Sequence, residues 1–142
     1  MKDFCFVDPE VPGQLGCETV IDTSTHPPKI EWLHIAFDGW LGDVLLECFP
    51  AYFVPEIARR AIEARSLTGA KFEEMKATTS LVFEELYPGR ELPKFWRFVP
   101  EGKFLQDDFS IAPDYRLTVS DRALNLLQEM GLRQADVQEV TS

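Results

Sequence analysis

Cysteine and histidine are scarce in this chain, and their spacing argues against the sites they usually build. Three cysteines, Cys5, Cys17 and Cys48, are spread over 142 residues without a Cys-x-x-Cys pair. The two histidines, His26 and His34, do not lie at zinc-ligand spacing from any of them. A disulfide framework and a metal centre are therefore disfavoured, and we expect buried free thiols in a reducing compartment.

Basic side chains are also in short supply. The chain has 14 Lys and Arg against 24 Asp and Glu, which gives a formal net charge of −10. Nucleic acids and anionic membranes are bound mainly through Lys and Arg, so this balance argues against both as partners. A basic protein is the partner that such a charge would attract. An acidic balance is equally common, however, in proteins that are simply well solvated.

Long apolar runs are absent as well. No stretch approaches the roughly 18 apolar residues of a membrane-spanning helix. The N-terminal sequence MKDFCFVDPEVPG has acids and prolines where a signal peptide has an apolar run. Gly-rich phosphate loops and the dinucleotide fingerprint are missing too. We therefore expect a cytoplasmic protein that does not bind membranes.

The composition is that of a folded chain with unevenly placed charge. Apolar residues make up 45% and aromatic residues 12% of it, which suits one domain over residues 1–142. Residues 1–31 carry six acidic and two basic side chains, and residues 107–142 carry seven and three. Residues 67–106 carry six of each. The two ends therefore supply most of the negative charge.

Two helices are predicted with clear boundaries. The first lies within FVPEIARRAIEARSLTG, with Pro55 at its first position and Gly69 just beyond its end. The second follows LTVS, because Ser120 can accept hydrogen bonds from the free N–H groups of the first turn and Gly131 can end the helix. The predicted apolar faces are Ile57, Ala58, Ala61 and Ile62 on the first helix, and Ala123, Leu124, Leu127 and Met130 on the second.

Short runs rich in β-branched and aromatic residues predict strands around these helices. Residues 1–29 hold four of the ten prolines and predict a loop-rich covering segment with one short strand around Glu18–Asp22. Strands are predicted at residues 30–37, 70–79, 92–99 and 117–120, with an edge strand at 137–140, while 44–48 and 80–87 fit a strand or a short helix. In 92–99 both faces are expected to be partly covered. The order predicts an α+β fold, a single domain whose two main helices pack on a largely antiparallel sheet.

No residue of the chain is predicted to be catalytic. Ser120 is accounted for as a helix cap, and His34 lies among large apolar residues where a hydrogen-bonded core histidine is expected. The adjacent Asp107 and Asp108, together with Asp114, form the one carboxylate group that could hold a divalent cation. A metal-dependent hydrolase using these three aspartates is therefore the alternative to a binding protein. Otherwise no cofactor or metal is expected.

Aromatic side chains in loops favour a protein-binding function. Tryptophan and tyrosine dominate the energetics of many protein interfaces. Trp40 lies in DGWLGD between two glycines and two aspartates, where a core position is an equally good interpretation, and Tyr115 is expected to be exposed. The predicted partner-contact residues are Asp107, Asp108, Asp114, Tyr115 and Glu129, with Asp38, Trp40 and Asp43 as a second patch.

Residues 36–140 also carry a family resemblance. The segments DGWLGDVLL, FVPEIARRAIEARSLTG, LPKF, QDDFSIA and LTVSDRALNLLQEMGL resemble the small immunity proteins of bacterial polymorphic-toxin systems, in the group known from myxobacterial and other proteobacterial toxin loci. In that group an acidic DDF segment precedes a helix with the pattern L-x-V-S-x-R-A-x-x-L-L. The resemblance covers roughly residues 36–140, and its most specific parts are residues 107–109 and 117–127.

This resemblance implies a non-enzymatic antidote that binds a cognate toxin tightly in the cytoplasm. Toxins of such systems often act on phosphate-bearing substrates, so their active-site clefts tend to be basic. An acidic surface could occupy such a cleft, and opposed charge would accelerate the encounter. Immunity proteins can also inhibit from outside the active site. An adaptor for a non-toxin protein remains a further alternative, and the oligomeric state is left open.

Overall fold

The computed structural model describes residues 3–140 and shows a mixed α+β fold, which confirms the predicted class. Its helices are α1 (Glu56–Ala64), α2 (Leu81–Leu86) and α3 (Asp121–Glu129). Its strands are β1 (Phe4–Asp8), β2 (Gly13–Leu15), β3 (Val20–Asp22), β4 (Lys29–Trp32), β5 (His34–Phe37), β6 (Leu46–Cys48), β7 (Ala51–Pro55), β8 (Ala70–Glu73), β9 (Lys76–Thr79), β10 (Phe95–Pro100), β11 (Phe109–Ile111), β12 (Leu117–Ser120) and β13 (Asp136–Glu139). None of the helices within residues 3–140 is long and apolar enough to cross a membrane.

The strands form several small sheets, and within these sheets most strand pairs are antiparallel, as predicted. The first sheet has the order β11-β12-β1-β13, and the second has the order β6-β7-β10-β8. The third sheet, β2-β5-β9, contains the parallel pair β5–β9, and β3 and β4 form a separate hairpin. The sequence predicts a single sheet instead of several. Runs of only three to six residues indicate that strands exist, but they do not indicate which strands pair.

The second sheet lies between two apolar clusters. Side chains alternate across a strand, so β10 places Phe98 in one cluster and Phe95 in the other. Strand β7 does the same with Val54 and Phe53. The first cluster packs this sheet against α1, α3 and the first sheet, and the second packs it against β5 and α2. The expectation that both faces of this strand are partly covered is confirmed.

The N-terminal segment is more structured than the sequence predicts. Instead of a loop-rich covering with one strand, its described part contains β1, β2 and β3. Strand β1 is internal, paired on one side with β12 and on the other with β13, and its Phe4, Cys5 and Val7 are buried. A run as short as FCFV gives a weak local signal, and both of its partners lie at the far end of the chain.

The helices α1 and α3 are each followed by a left-handed residue, but only α3 ends where predicted. Helix α3 is capped by Ser120, whose Oγ accepts from Ala123 N at 3.2 Å, and ends at Gly131 with φ 115°. Helix α1 ends at Ala64, where Ser66, with φ 52°, takes the left-handed conformation expected of Gly69. The bond from Leu67 N to Ile62 O, 3.2 Å, closes that end. Ile57 of α1 is exposed, contrary to its predicted place on the apolar face.

Candidate functional site

Asp108, a predicted contact residue, is used inside the protein. The residue is fully buried between β11 and the start of α3. Its carboxylate accepts from Thr68 N at 2.8 Å and from Ser120 Oγ at 2.5 Å. Arg122 binds both oxygens, with Nε 2.9 Å from Oδ1 and Nη2 2.7 Å from Oδ2. A partner cannot reach this carboxylate while the network is intact.

The same network explains the motif that carries the family resemblance. Burial alone would raise the pKa of Asp108, but the hydrogen bonds from Arg122, Ser120 and Thr68 outweigh it and hold that pKa well below its usual range. The acidic DDF segment and the V-S-x-R turn are thus two halves of one ionic link. This link fastens β11 to the start of α3 and to the loop after α1, so the motif is structural.

The other two acidic-loop aspartates have separate neighbours. Asp107 accepts from Lys103 N at 2.6 Å, and the exposed Asp114 accepts from Arg116 Nε at 2.8 Å. Within residues 3–140, no three His, Cys, Asp or Glu side chains lie together in a way that could hold a metal ion. The proposed hydrolase ligands are therefore not brought together, and Asp108 is already saturated by its own hydrogen bonds.

Asp43, from the second predicted patch, is also buried and structural. Its carboxylate accepts from Arg133 N at 3.0 Å and from Gln134 N at 2.8 Å, which fastens the segment after α3. Its backbone oxygen accepts from Trp40 Nε1 at 2.9 Å. Asp43 therefore helps to hold Trp40 in position, and its own side chain is buried.

The acidic ends of the chain meet in the first sheet. Strand β1 pairs with β13 so that Asp8 lies opposite Asp136, and Cys5 lies opposite Glu139. Like charges directly opposite each other in an antiparallel pair destabilise the sheet. Burial raises the pKa of the Cys5 thiol, and the carboxylates of Asp121, Glu139 and Asp3 raise it further. The two charged ends that the sequence shows separately thus form one negative region.

A cleft of about 520 Å³ opens beside this region, and we call it the acidic cleft. It is lined by Phe6, Val7, Asp8, Glu47, Tyr52, Tyr115, Arg116, Leu117, Asp136, Val137 and Gln138. Three lining residues are carboxylates and three are aromatic. The one cation, Arg116, pairs with Asp114, and its guanidinium carbon lies 3.5 Å from the centre of the Phe6 ring. The wall is therefore acidic and aromatic.

Glu47 and Tyr52 face each other across β6 and β7 at the inner end of this cleft. Burial raises the pKa of Glu47, and the nearby charge of Asp8 raises it further. Burial likewise raises the pKa of Tyr52, with smaller contributions from Glu47 and Asp8. Both pKa shifts indicate that additional negative charge at this point costs free energy.

Tyr115 is exposed, as expected, and stands at the rim of the acidic cleft. Its φ of 70° is left-handed, in a turn closed by the bond from Tyr115 N to Ala112 O at 2.8 Å. Its ring meets that of His26 edge-on, with 5.7 Å between centroids. Of the first predicted patch, Tyr115 lines the cleft, whereas Asp107 and Glu129 do not. Glu129 is exposed on α3 with its Oε2 3.8 Å from Arg65 Nη2.

Asp38 and Trp40 lie together in a second groove of about 450 Å³, the tryptophan groove. It is lined by Glu10, Val11, Pro12, Gly13, Asp38, Gly39, Trp40, Leu41, Val82, Leu86 and Tyr87. The Trp40 ring packs against Phe95 at 5.3 Å between centroids, so it is both a part of the core and a wall of the groove. The acidic cleft and the tryptophan groove share no lining residue.

The sequence did not identify Asp8, Glu47 and Asp136 as site residues, whereas Tyr52 is one of the aromatic residues that it offers as interface anchors. The clue to Asp8 and Asp136 was the acidic excess at both ends, because strands that carry it and pair with each other concentrate the charge. Nothing local marks Glu47, which becomes a site residue only through the packing of β6 and β7 beside β1.

Comparison with known proteins gives no match. No protein-family model, no curated protein and no solved structure matches this chain. The similarity of residues 107–109 and 117–127 to immunity proteins thus stays a resemblance between motifs.

Proposed function

We propose that this protein is an immunity protein that binds and neutralises a cognate bacterial toxin by presenting the acidic cleft to a cationic surface of that toxin. The observation that carries the proposal is the pairing of Asp8 with Asp136 beside the half-buried Glu47. The motif resemblance and the net charge of −10 support it independently.

The free protein is destabilised by this arrangement of carboxylates. Asp8 and Asp136 are opposite each other in the sheet, and Glu47 has lost part of its hydration. A cation placed between them would relieve both costs at once. Binding of a cation therefore gains free energy, because it relieves a repulsion between carboxylates that the fold itself does not need.

Lysine or arginine side chains of the partner fit this cleft best. The cleft volume of about 520 Å³ admits a side chain. Among residues 3–140, the carboxylates that line the cleft do not lie together in a way that could hold one metal ion. The exposed ring of Tyr115 at the rim offers a face and an edge for an alkyl stem or a guanidinium. The charge of the whole chain would speed the encounter, and the desolvated contacts in the cleft would slow dissociation.

The test is co-expression with the product of the neighbouring gene in cells that this product kills. We expect rescue by the wild-type protein and co-purification of the pair. The double variant Asp8→Asn with Asp136→Asn should bind about tenfold or more weakly, as expected when rim charges of a complementary interface are lost.

A matched control removes the same charge elsewhere. Glu91 and Glu101 are exposed and line neither groove, so Glu91→Gln with Glu101→Gln should leave affinity nearly unchanged. If both double variants weaken binding equally, only net charge matters and the cleft is not the site. A neighbouring product that is harmless, with a non-toxin partner bound at the cleft, would instead make the protein an adaptor.

A further inference from the structure

The tryptophan groove is a second surface that the acidic cleft does not explain. We propose that it docks a short amphipathic segment of a partner protein, with large apolar side chains in the groove and Lys or Arg side chains at its rim. The proposal does not depend on toxin neutralisation, because it rests on residues that the acidic cleft does not use.

Helix α2 turns its apolar side chains outward. Leu81 is 82% exposed and Leu86 is 63% exposed, while Phe83 is the buried residue of the helix. A surface helix normally faces the core with its apolar side. Leu41 and Val11, across the groove from Val82 and Leu86, are exposed as well. Contiguous exposed apolar surface of this kind marks an interaction site.

The wall formed by Trp40 is already in place. Its ring packs against Phe95, its Nε1 donates to Asp43 O, and its backbone oxygen accepts from Arg90 Nη1 at 2.8 Å. The guanidinium of Arg90 also lies over the rings of Trp40 and Tyr87, 5.1 Å from each centroid. A partner would therefore not have to immobilise this aromatic side chain, which favours affinity.

The charge at the rim selects a basic partner. Glu10 and Asp38 line the groove, Glu10 from within it, where its Oε2 accepts from Leu41 N at 2.9 Å, and the lining residues that the structure describes include no Lys or Arg. Helix α2 adds Glu84 and Glu85 beside its apolar residues. Arg90, a cation beside Trp40, is already stacked and hydrogen-bonded. Lys or Arg on both sides of an apolar core would match this pattern.

A second copy of the chain does not fit the groove. A two-fold interface would place the same surface against itself, and hence the carboxylates of Glu10, Asp38 and α2 against one another. Each molecule also carries a net charge of −10, which repels its copy. The occupant is therefore a segment of a different, basic protein.

The test uses a phage-displayed library of random twelve-residue peptides selected on the wild-type protein. Enriched peptides should be cationic and contain at least two large apolar residues. Leu86→Asp should weaken an enriched peptide at least tenfold, and it should do so also in the Asp8→Asn/Asp136→Asn background. Shifts of the Trp40 indole N–H resonance on titration, assigned with Trp40→Phe, place the peptide in the groove.

The matched control is Ile57→Asp on α1, which removes an equally exposed apolar residue and adds the same charge elsewhere. It should leave peptide affinity unchanged within twofold. The proposal is overturned if no cationic peptide is enriched, or if Leu86→Asp and Ile57→Asp behave alike. It is equally overturned if the wild-type protein dimerises in a way that Leu86→Asp abolishes.

Discussion

Asp108 and Asp107 are neighbours with the same side chain and opposite roles. Asp108 is buried against Thr68, Ser120 and Arg122, whereas Asp107 lies near the surface and accepts from Lys103 N. No local pattern separates the two, because the partner that decides the matter, Arg122, lies in a different element. Burial of a carboxylate follows from its long-range partner, which the sequence does not display.

Replacing Asp108 with Asn should destabilise the fold by about 2 to 3 kcal/mol. The change removes a charge-assisted hydrogen-bond network, but Arg122 is half-exposed and can regain water. Urea unfolding of Asp108→Asn beside Asp107→Asn measures this. The Asp107 variant should stay within about 0.5 kcal/mol of wild type. Equal effects of the two substitutions would contradict the structural role of Asp108.

Acid should weaken the fold through the same carboxylate. The folded-state pKa of Asp108 lies well below its unfolded value of about 3.9. Its contribution to the free energy of unfolding is therefore fully present above that value and is lost as the pH falls toward the folded pKa. Unfolding curves at pH 7 and pH 3 should show a smaller pH effect in Asp108→Asn than in wild type.

Glu47 should act in the opposite sense. Burial and Asp8 raise its folded pKa above the unfolded value of about 4.3. The folded state then binds the proton more readily, so stability declines as the pH rises from the unfolded value through the folded pKa. Glu47→Gln, which can still accept a hydrogen bond from Tyr52, should be more stable than wild type at pH 7. The difference should vanish near pH 4, as thermal unfolding at both pH values would show.

The elements differ in how well the sequence predicts them. Helix α3 is predicted at both ends because Ser120 and Gly131 are local signals for backbone groups a few residues away. Helix α1 is closed by a left-handed residue at Ser66, where no glycine marks the end; Gly69 is left-handed too, with φ 86°, but it lies beyond that end and also serves a second purpose. A Cβ on Gly69 would lie 2.2 Å from Phe109 O, so this glycine permits a close approach between segments.

The pairing of β1 with β13 should be improved by removing one charge. Asp136→Asn eliminates the repulsion with Asp8 and should stabilise the fold by up to about 1 kcal/mol. Glu139→Gln in the same strand lies opposite Cys5, not a carboxylate, and should have a smaller effect. Chemical denaturation of the two variants compares them directly. Because Asp8 and Asp136 share one interaction, Asp8→Asn should add little to Asp136→Asn.

At the scale of the whole molecule, the sequence predicts the fold class but not the topology. Alternation and caps indicate strands and helices, and hence an α+β fold. The pairing of β1 with β12 and β13 joins opposite ends of the chain, and no spacing rule reaches that far. The candidate site follows the same division. Residue type and loop position identify Trp40 and Tyr115, whereas Glu47 required the packed structure.

Ionic strength should affect association with a basic partner strongly. The net charge of −10 attracts such a partner over a distance that salt shortens, from about 10 Å at 0.1 M to about 3 Å at 1 M. The association rate constant with the cognate partner should fall between these salt concentrations, while the dissociation rate constant changes less. Stopped-flow measurements at both concentrations test this. Equal association rates would mean that the acidic region does not guide the encounter.

The central place of β1 also orders events during translation. Strand β1 is made long before its partners, because β12 begins at residue 117 and β13 at residue 136, so both of its edges lack partners while the residues between are made. At about 5 to 20 residues per second, the wait lasts several seconds or longer on the ribosome. The second sheet, with α1 and α2, is complete by residue 100 and can form in the meantime. The acidic cleft needs both β1 and β13, so a nascent chain cannot engage its partner there before synthesis reaches β13.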